Sequence, residues 1–156
     1  MSGVLEPEEI LGDLLRLDRG LRRERYYGER ALFYNPDGRA PLGTIFCAIK
    51  DRDGPNDKAS GLSRPGVYRF AFEMSPETFH AHFGPPPRRP AKGERLELLD
   101  HRVTQLDVLA PHPVYAWMRW VQMLSPTARQ FDALRPLLGG SLAVARAKWE
   151  RGPLRA

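Results

Sequence analysis

Apolar residues along the chain fall into short, separated groups, and the spacing inside each group predicts an element. Ile10, Leu11, Leu14 and Leu15 stand at i, i+1, i+4 and i+5 behind Pro7-Glu8-Glu9. That is the stripe of a short amphipathic helix, with proline at its first position and acids in its first turn. Gly20 is expected to end it. Between Leu21 and Tyr34 the pattern turns to alternation, Leu32 and Tyr34 opposing Ala31 and Phe33, which predicts a strand. Asn35-Pro36-Asp37-Gly38 reads as a turn, because proline presets one dihedral and glycine accepts positive φ. Thr44 to Ile49 is apolar on both faces and reads as a central strand. Asp51 to Gly66 is a long polar loop, and Val67 to Phe72 a third strand.

Ser75-Pro76-Glu77 has the form of a helix start, with Phe79 and Phe83 on one face four residues apart. Gly84-Pro85-Pro86-Pro87 ends that helix in a stiff extended linker. Val114 to Leu124 reads as one long strand, with Tyr115, Trp117, Arg119 and Val121 on one side and Met118 and Trp120 on the other. On that reading at least one of the two tryptophans is buried against helices. Ser125-Pro126 caps the next helix, in which Phe131 and Leu134 turn inward. Pro136 and Gly139-Gly140 should interrupt it, so that Ser141 opens a final helix carrying Leu142, Ala145 and Trp149 on one face. The expectation is an α+β protein, a single domain over residues 1–156 with its core at about 5–150. An antiparallel sheet of about four to five strands packs against helices from both chain ends.

A length of 156 residues suits one domain. Leu, Ile, Val and Phe make up 37 positions, enough for a folded core. No apolar run reaches the roughly 18 residues of a membrane helix, and Met1 to Glu6 has no signal-peptide pattern. The lone Cys47 cannot form an internal disulfide, which suits a reducing cytoplasm. No cofactor and no membrane partner are expected.

The net charge of +5 changes the picture, since a basic chain invites nucleic acid. The excess comes from 20 arginines against 4 lysines, which is also what GC-rich codons produce. Six arginines lie between Arg16 and Arg30, diluted by Asp18, Glu24 and Glu29, and Arg146, Lys148, Arg151 and Arg155 close the chain against Glu150. A solvated face explains either group as well as a binding surface does.

Most chemical templates are absent. Asp51-Arg52-Asp53-Gly54-Pro55-Asn56-Asp57 resembles a calcium loop only superficially, because Gly54 and Leu62 stand where the motif is otherwise spaced. His80 and His82, two apart on a helix, diverge and cannot grip one metal ion. Cys47 inside an apolar strand is a small hydrophobe unless His101 or His112 reaches it. No phosphate-binding glycine loop and no nucleophile elbow occurs. Pro111-His112-Pro113-Val114-Tyr115-Ala116-Trp117-Met118-Arg119-Trp120 is the most distinctive stretch; its rings fill a core or grip a flat ligand.

Thr44 to Lys50, the strand ending at Phe72, the Ser75-Pro76-Glu77 helix start, the aromatic stretch after His112 and the closing helices to Trp149 follow one another in a familiar order. That order resembles the MmcQ/YjbR-like proteins, a small α+β family commonly labelled DNA-binding. Phe33 to Gly38, Asp53 to Asp57, Arg64-Pro65-Gly66, Phe83 to Pro87 and His112 to Tyr115 resemble more closely an uncharacterised bacterial family of unknown function with that architecture. Leu142 stands where the wider family tends to carry tyrosine. The resemblance implies a non-enzymatic binding protein whose arginine-rich face meets DNA, and it carries over no catalytic residue. Arg22, Arg23, Arg25 and Arg119, helped by Arg146 and Lys148, are the candidate residues for that surface. A second reading is a small-molecule binder or enzyme built on the polar loop: Lys50, Asp53, Asn56, Asp57, Lys58 and Arg64, with His112 and Tyr115 at the rim. A pocket joining that loop to His112 would favour it. A third is an adaptor for another protein, which a large exposed apolar patch would favour.

Overall fold

A computed structural model describes residues 3–38, 40–96 and 100–152; Arg155 and the side chain of His101 lie outside what it describes. The chain runs α1 (Pro7–Leu15), β1 (Leu21–Tyr26), β2 (Glu29–Tyr34), β3 (Thr44–Lys50), β4 (Arg69–Glu73), α2 (Pro76–Phe83), β5 (Leu109–Pro111), β6 (Trp120–Leu124), α3 (Ala128–Ala133) and α4 (Arg135–Glu150). All strands join one antiparallel sheet in the order β1-β2-β3-β4-β6-β5. The protein is therefore α+β, with helices at both ends and six strands rather than four or five.

One face of the sheet is sealed. Leu21, Leu32, Cys47, Ile49, Phe70, Phe72, Val121 and Met123 meet Ile10, Leu11 and Leu14 of α1, Phe131 of α3 and Leu138, Leu142 and Ala145 of α4 in one continuous core. Cys47 is fully buried there, and burial pushes its thiol far up from its ordinary pKa, so it packs rather than reacts. A register shift between Leu32 and Phe33 opposes Leu32 to Cys47 and Phe33 to Ile45, leaving Phe46 as the extra residue. This bulge explains why the strand reads apolar on both faces: Phe46 and Cys47 both enter the core, while Ile45 and Ala48 both reach the other side.

The stretch from Leu21 to Tyr34 is a hairpin of two strands, closed by Tyr27-Gly28 with φ of 50° and 78°. Both central residues at positive φ make this the tight turn that fits the right-handed twist of paired strands. Gly20 does not end α1, which stops at Leu15. It lies against Tyr34, where an added Cβ would come 2.8 Å from the ring.

Three further expectations need correction. Val114 to Leu124 is not one strand: Ala116–Met118 form a 3-10 turn, Arg119 adopts φ 67°, and only Trp120–Leu124 join the sheet. The cause is His112, whose Nδ1 accepts the N–H groups of Val114 (3.0 Å) and Tyr115 (3.1 Å) and so folds the segment over. Trp117 and Trp120 are consequently half-buried, and the buried tryptophan is Trp149, 5% exposed. Ser125 is not a helix cap. Its Oγ accepts from Tyr68 N–H and donates to Gly66, while Thr127 caps α3 by accepting from Gln130 N–H at 3.2 Å. Finally, α4 runs unbroken through Pro136 and Gly139-Gly140. Pro136 sits in the first turn, where no N–H bond is lost, and burial of Leu138, Leu142, Ala145 and Trp149 outweighs the glycine penalty.

A candidate ligand cleft on the open face of the sheet

Ala31, Ala48, Ala71 and Gln122 stand side by side across β2, β3, β4 and β6 on the face that the helices leave uncovered. Small side chains at the middle of a sheet make a low floor. The 51–66 loop and the 3-10 turn at His101–Thr104 cover one part of this face, where Ser60 and Val103 reach the buried Gln122. Over the rest lies a cleft of about 870 Å³, within the range of small-molecule sites. Ala48 and Ala71 lie beneath it, Tyr26, Tyr27 and Glu29 of the hairpin line one wall, and His112, Tyr115, Trp117, Arg119 and Trp120 line the other.

At one end Asp57 collects two cations. Arg69, 2% exposed, grips it with both terminal nitrogens at 2.5 and 2.8 Å, and Lys50 Nζ donates at 3.1 Å. Arg69 also donates through Nε to Gln122 (2.7 Å) and through Nη2 to Ser60 (3.1 Å). Gln122 passes the network on by donating to Val103 O at 3.0 Å. Burial alone would raise the Asp57 pKa, but the Arg69 hydrogen bonds and charge, with Lys50, hold it well below the carboxylate range. A backbone pairing of Gly54 with Asp57 (3.0 and 3.2 Å) shapes the turn. A Cβ at Gly54 would come 3.0 Å from Lys50 Nζ.

Glu29 stands nearby. Burial raises its carboxyl pKa, a shift that Asp57 reinforces and that Lys50 and Arg69 oppose. His112 is buried, and desolvation first, then the charge of Arg69, pushes its pKa well down, only partly offset by Asp57. Since Nδ1 already accepts from the backbone, the neutral ring carries its proton on Nε2. Tyr115 lies 5.1 Å from that ring, and its phenol is held above its usual pKa by burial, then by Glu29 and Asp57.

The other end is built on Glu73, buried at the close of β4. Lys148 of α4 donates to its carboxylate at 2.5 Å and Arg119 at 3.5 Å. Arg119 Nε is itself buried, with no hydrogen-bond partner.

Of the loop residues named from the sequence, the structure brings Lys50, Asn56, Asp57, His112 and Tyr115 together on this cleft, and Arg119 and Lys148 join them from the arginine set. Asp53 and Arg64 instead hold the loop: Asp53 accepts from Leu62 N–H (2.8 Å), and Arg64 donates to Ser60 and Thr104 carbonyls (2.7 and 3.0 Å). Lys58 is exposed and does not line the cleft. The remaining arginines lie elsewhere. Arg22 donates to Asn35 O at 2.8 Å, Arg23 takes Glu8 at 2.5 and 2.7 Å, and Arg25 reaches Gly28 O at 3.4 Å. Arg146 pairs with Asp18. Sequence reasoning missed Glu29, Arg69 and Glu73. Charged residues at the two ends of an otherwise apolar strand, Arg69 opening β4 and Glu73 closing it, are the signal that the sequence offered. Tyr27-Gly28, a two-residue turn between strands, was the signal for the hairpin wall.

Among the described residues no helix is long and apolar enough to cross a membrane, and no group of three or more His, Cys, Asp and Glu is placed to hold a metal ion. Residues 5–153 match the family described as "Family of unknown function (DUF6194)", and the chain belongs to that family. No curated protein and no solved structure gives a significant match.

Proposed function

We propose that the protein binds a small molecule with a planar part in the cleft on the open face of its sheet. The carrying observation is convergence: the hairpin turn, the 54–57 turn, β3, β4, the 112–120 segment and α4 all contribute side chains to one cavity. Aromatic walls over a floor of alanine suit a flat ligand, and convergent polar groups at the two ends suit its recognition. His112 serves as the post of this site. Its accepted N–H bonds hold the turn that presents Tyr115, Trp117 and Arg119.

Trp117 and Trp120 are half-exposed reporters in the cleft, whereas Trp149 is buried in the core. A ligand screen read by tryptophan emission and melting temperature is expected to find compounds that shift both, since a ligand bound only by the folded state stabilises it. Ala71→Phe, which raises the floor, should abolish those shifts while the variant stays folded. A metabolite library that moves neither readout, or hits that bind Ala71→Phe unchanged, would overturn the reading.

The alternative is a nucleic-acid surface on the arginine-rich hairpin, supported by the net charge of +5 and by the resemblance to MmcQ/YjbR-like proteins. Pairing of Arg23 and Arg30 with Glu8, and of Arg30 with Asp51, lowers the free positive field there. Duplex titration at low salt separates the two readings. Binding that weakens with salt and loses about two units of salt slope in an Arg23/Arg25 double variant would favour nucleic acid.

A further inference from the structure

The two ends of the cleft carry different charge. At the Asp57 end, Lys50 and Arg69 face Asp57 and Glu29, two cations and two carboxyl groups. At the Glu73 end, Arg119 and Lys148 share a single carboxylate, which leaves one positive charge in excess beside Trp120, the register partner of Glu73. A buried N–H without an acceptor is uncommon in folded proteins, and a charged one is costly. Arg119 Nε is such a group. The guanidinium spends only one nitrogen on Glu73, at a loose 3.5 Å, so most of its fork is uncommitted. It is also held in place deliberately. Arg119 sits at φ 67°, unfavourable for a side chain of this size, and is fixed by N–H donation to Ala116 O (2.8 Å) and acceptance from Met74 N–H (2.9 Å).

We propose that the Glu73 end of the cleft is an anion subsite, in which Arg119 and Lys148 bind the carboxylate or phosphate group of a planar ligand lying over Ala48 and Ala71. This rests on the reading of the cleft as a ligand site and names the ligand class: a flat, conjugated acid with its charge at one end. Glu73 acts as the anchor, holding two cations close together without neutralising both. The anion would take the terminal Arg119 nitrogens that Glu73 leaves open, since the guanidinium is part-exposed while its Nε is closed off.

Paired probes test this on the full chain. 2-Naphthoate, naphthyl phosphate and the neutral 2-naphthamide share a ring system and differ in the charged group. The expected result is that one acid binds at least about tenfold more tightly than the amide, as a charge-assisted contact predicts. Whichever acid wins identifies the group, and inorganic phosphate should compete only if it is the phosphate. Arg119→Gln and Lys148→Gln, made separately, should bring the acid down to the amide and leave the amide within about twofold. Lys148→Gln, on the surface of a long helix, keeps the test valid should Arg119→Gln disturb its turn. Acid and amide binding equally to the parent, or an acid preference that survives both variants, would overturn the anion subsite and leave the cleft reading standing. No binding of any probe at millimolar concentration, with the protein folded, would overturn the flat conjugated acid as the ligand class, while the cleft reading itself falls only if the library screen also moves neither readout.

Discussion

The arginine-rich hairpin and the Glu73 end of the cleft use the same side chains to opposite effect. On the hairpin, Glu8 reaches across from α1 to Arg23 and Arg30, Asp51 takes Arg30 as well, and both carboxylates are exposed to water. In the cleft, Arg119 and Lys148 divide one buried carboxylate between them. A solvated pair is screened and contributes little. A carboxylate as buried as Glu73 feels less screening, and the part-exposed cations gathered on it leave an excess charge available to a ligand. Density of arginine along the chain therefore locates charge without locating a site; burial and the ratio of cations to carboxylates decide that.

The comparison is most severely tested at the Asp57 end. Asp57→Ala strands Arg69 without its counter-charge at a position closed to water, and should cost about 3–5 kcal/mol, read as a lower urea midpoint. A loss under about 1 kcal/mol would mean that the buried network behaves like the surface pairs.

The next effect depends on pH. His112 has a depressed pKa in the folded protein, from burial first and the charge of Arg69 second. Below about pH 6.5 the unfolded chain takes up a proton that the folded chain refuses, so stability falls as pH falls. The slope should approach about 1.4 kcal/mol per pH unit below that point. Denaturation from pH 8 to 5.5, with His112→Gln as the comparison, should show a slope that the variant lacks. Equal slopes would place the imidazole in water.

Glu8→Ala removes the partner shared by Arg23 and Arg30 and should cost no more than about 1 kcal/mol, because every group involved is exposed or half-exposed. Any nucleic-acid affinity of the hairpin should rise in this variant, which a duplex titration reads directly. The smallest effect is expected at Tyr27, 88% exposed at the first turn position with φ 50°. Asparagine suits that conformation better, so Tyr27→Asn should leave the melting temperature level or slightly raised while weakening ligand binding through loss of one wall.

Local patterns were legible wherever a segment's own chemistry decides its shape. The Pro7 and Ser75-Pro76 helix starts, the inward faces of α1 and α4 and the central position of β3 all follow from spacing and caps. Lys50, Asn56 and Asp57 lie with His112 and Tyr115 on one cleft. The failures share a cause. The 114–124 segment alternates like a strand, but a histidine ring satisfying two backbone N–H groups bends it, and no periodicity encodes that bond. Gly139-Gly140 reads as a break, yet the core beneath α4 overrides local propensity.

The amino-acid sequence by itself determined the α+β class, the positions of most helices and the burial of Cys47, because these depend on periodicity and on the sum of apolar side chains. Tertiary structure alone decided which cations are spent and which are spare. Glu8 lies fifteen residues from Arg23, and Glu73 lies seventy-five from Lys148. Such pairings depend on how strands and helices are stacked in space, and electrostatic energy depends on the separation and burial of charges, neither of which is written in their order along the chain.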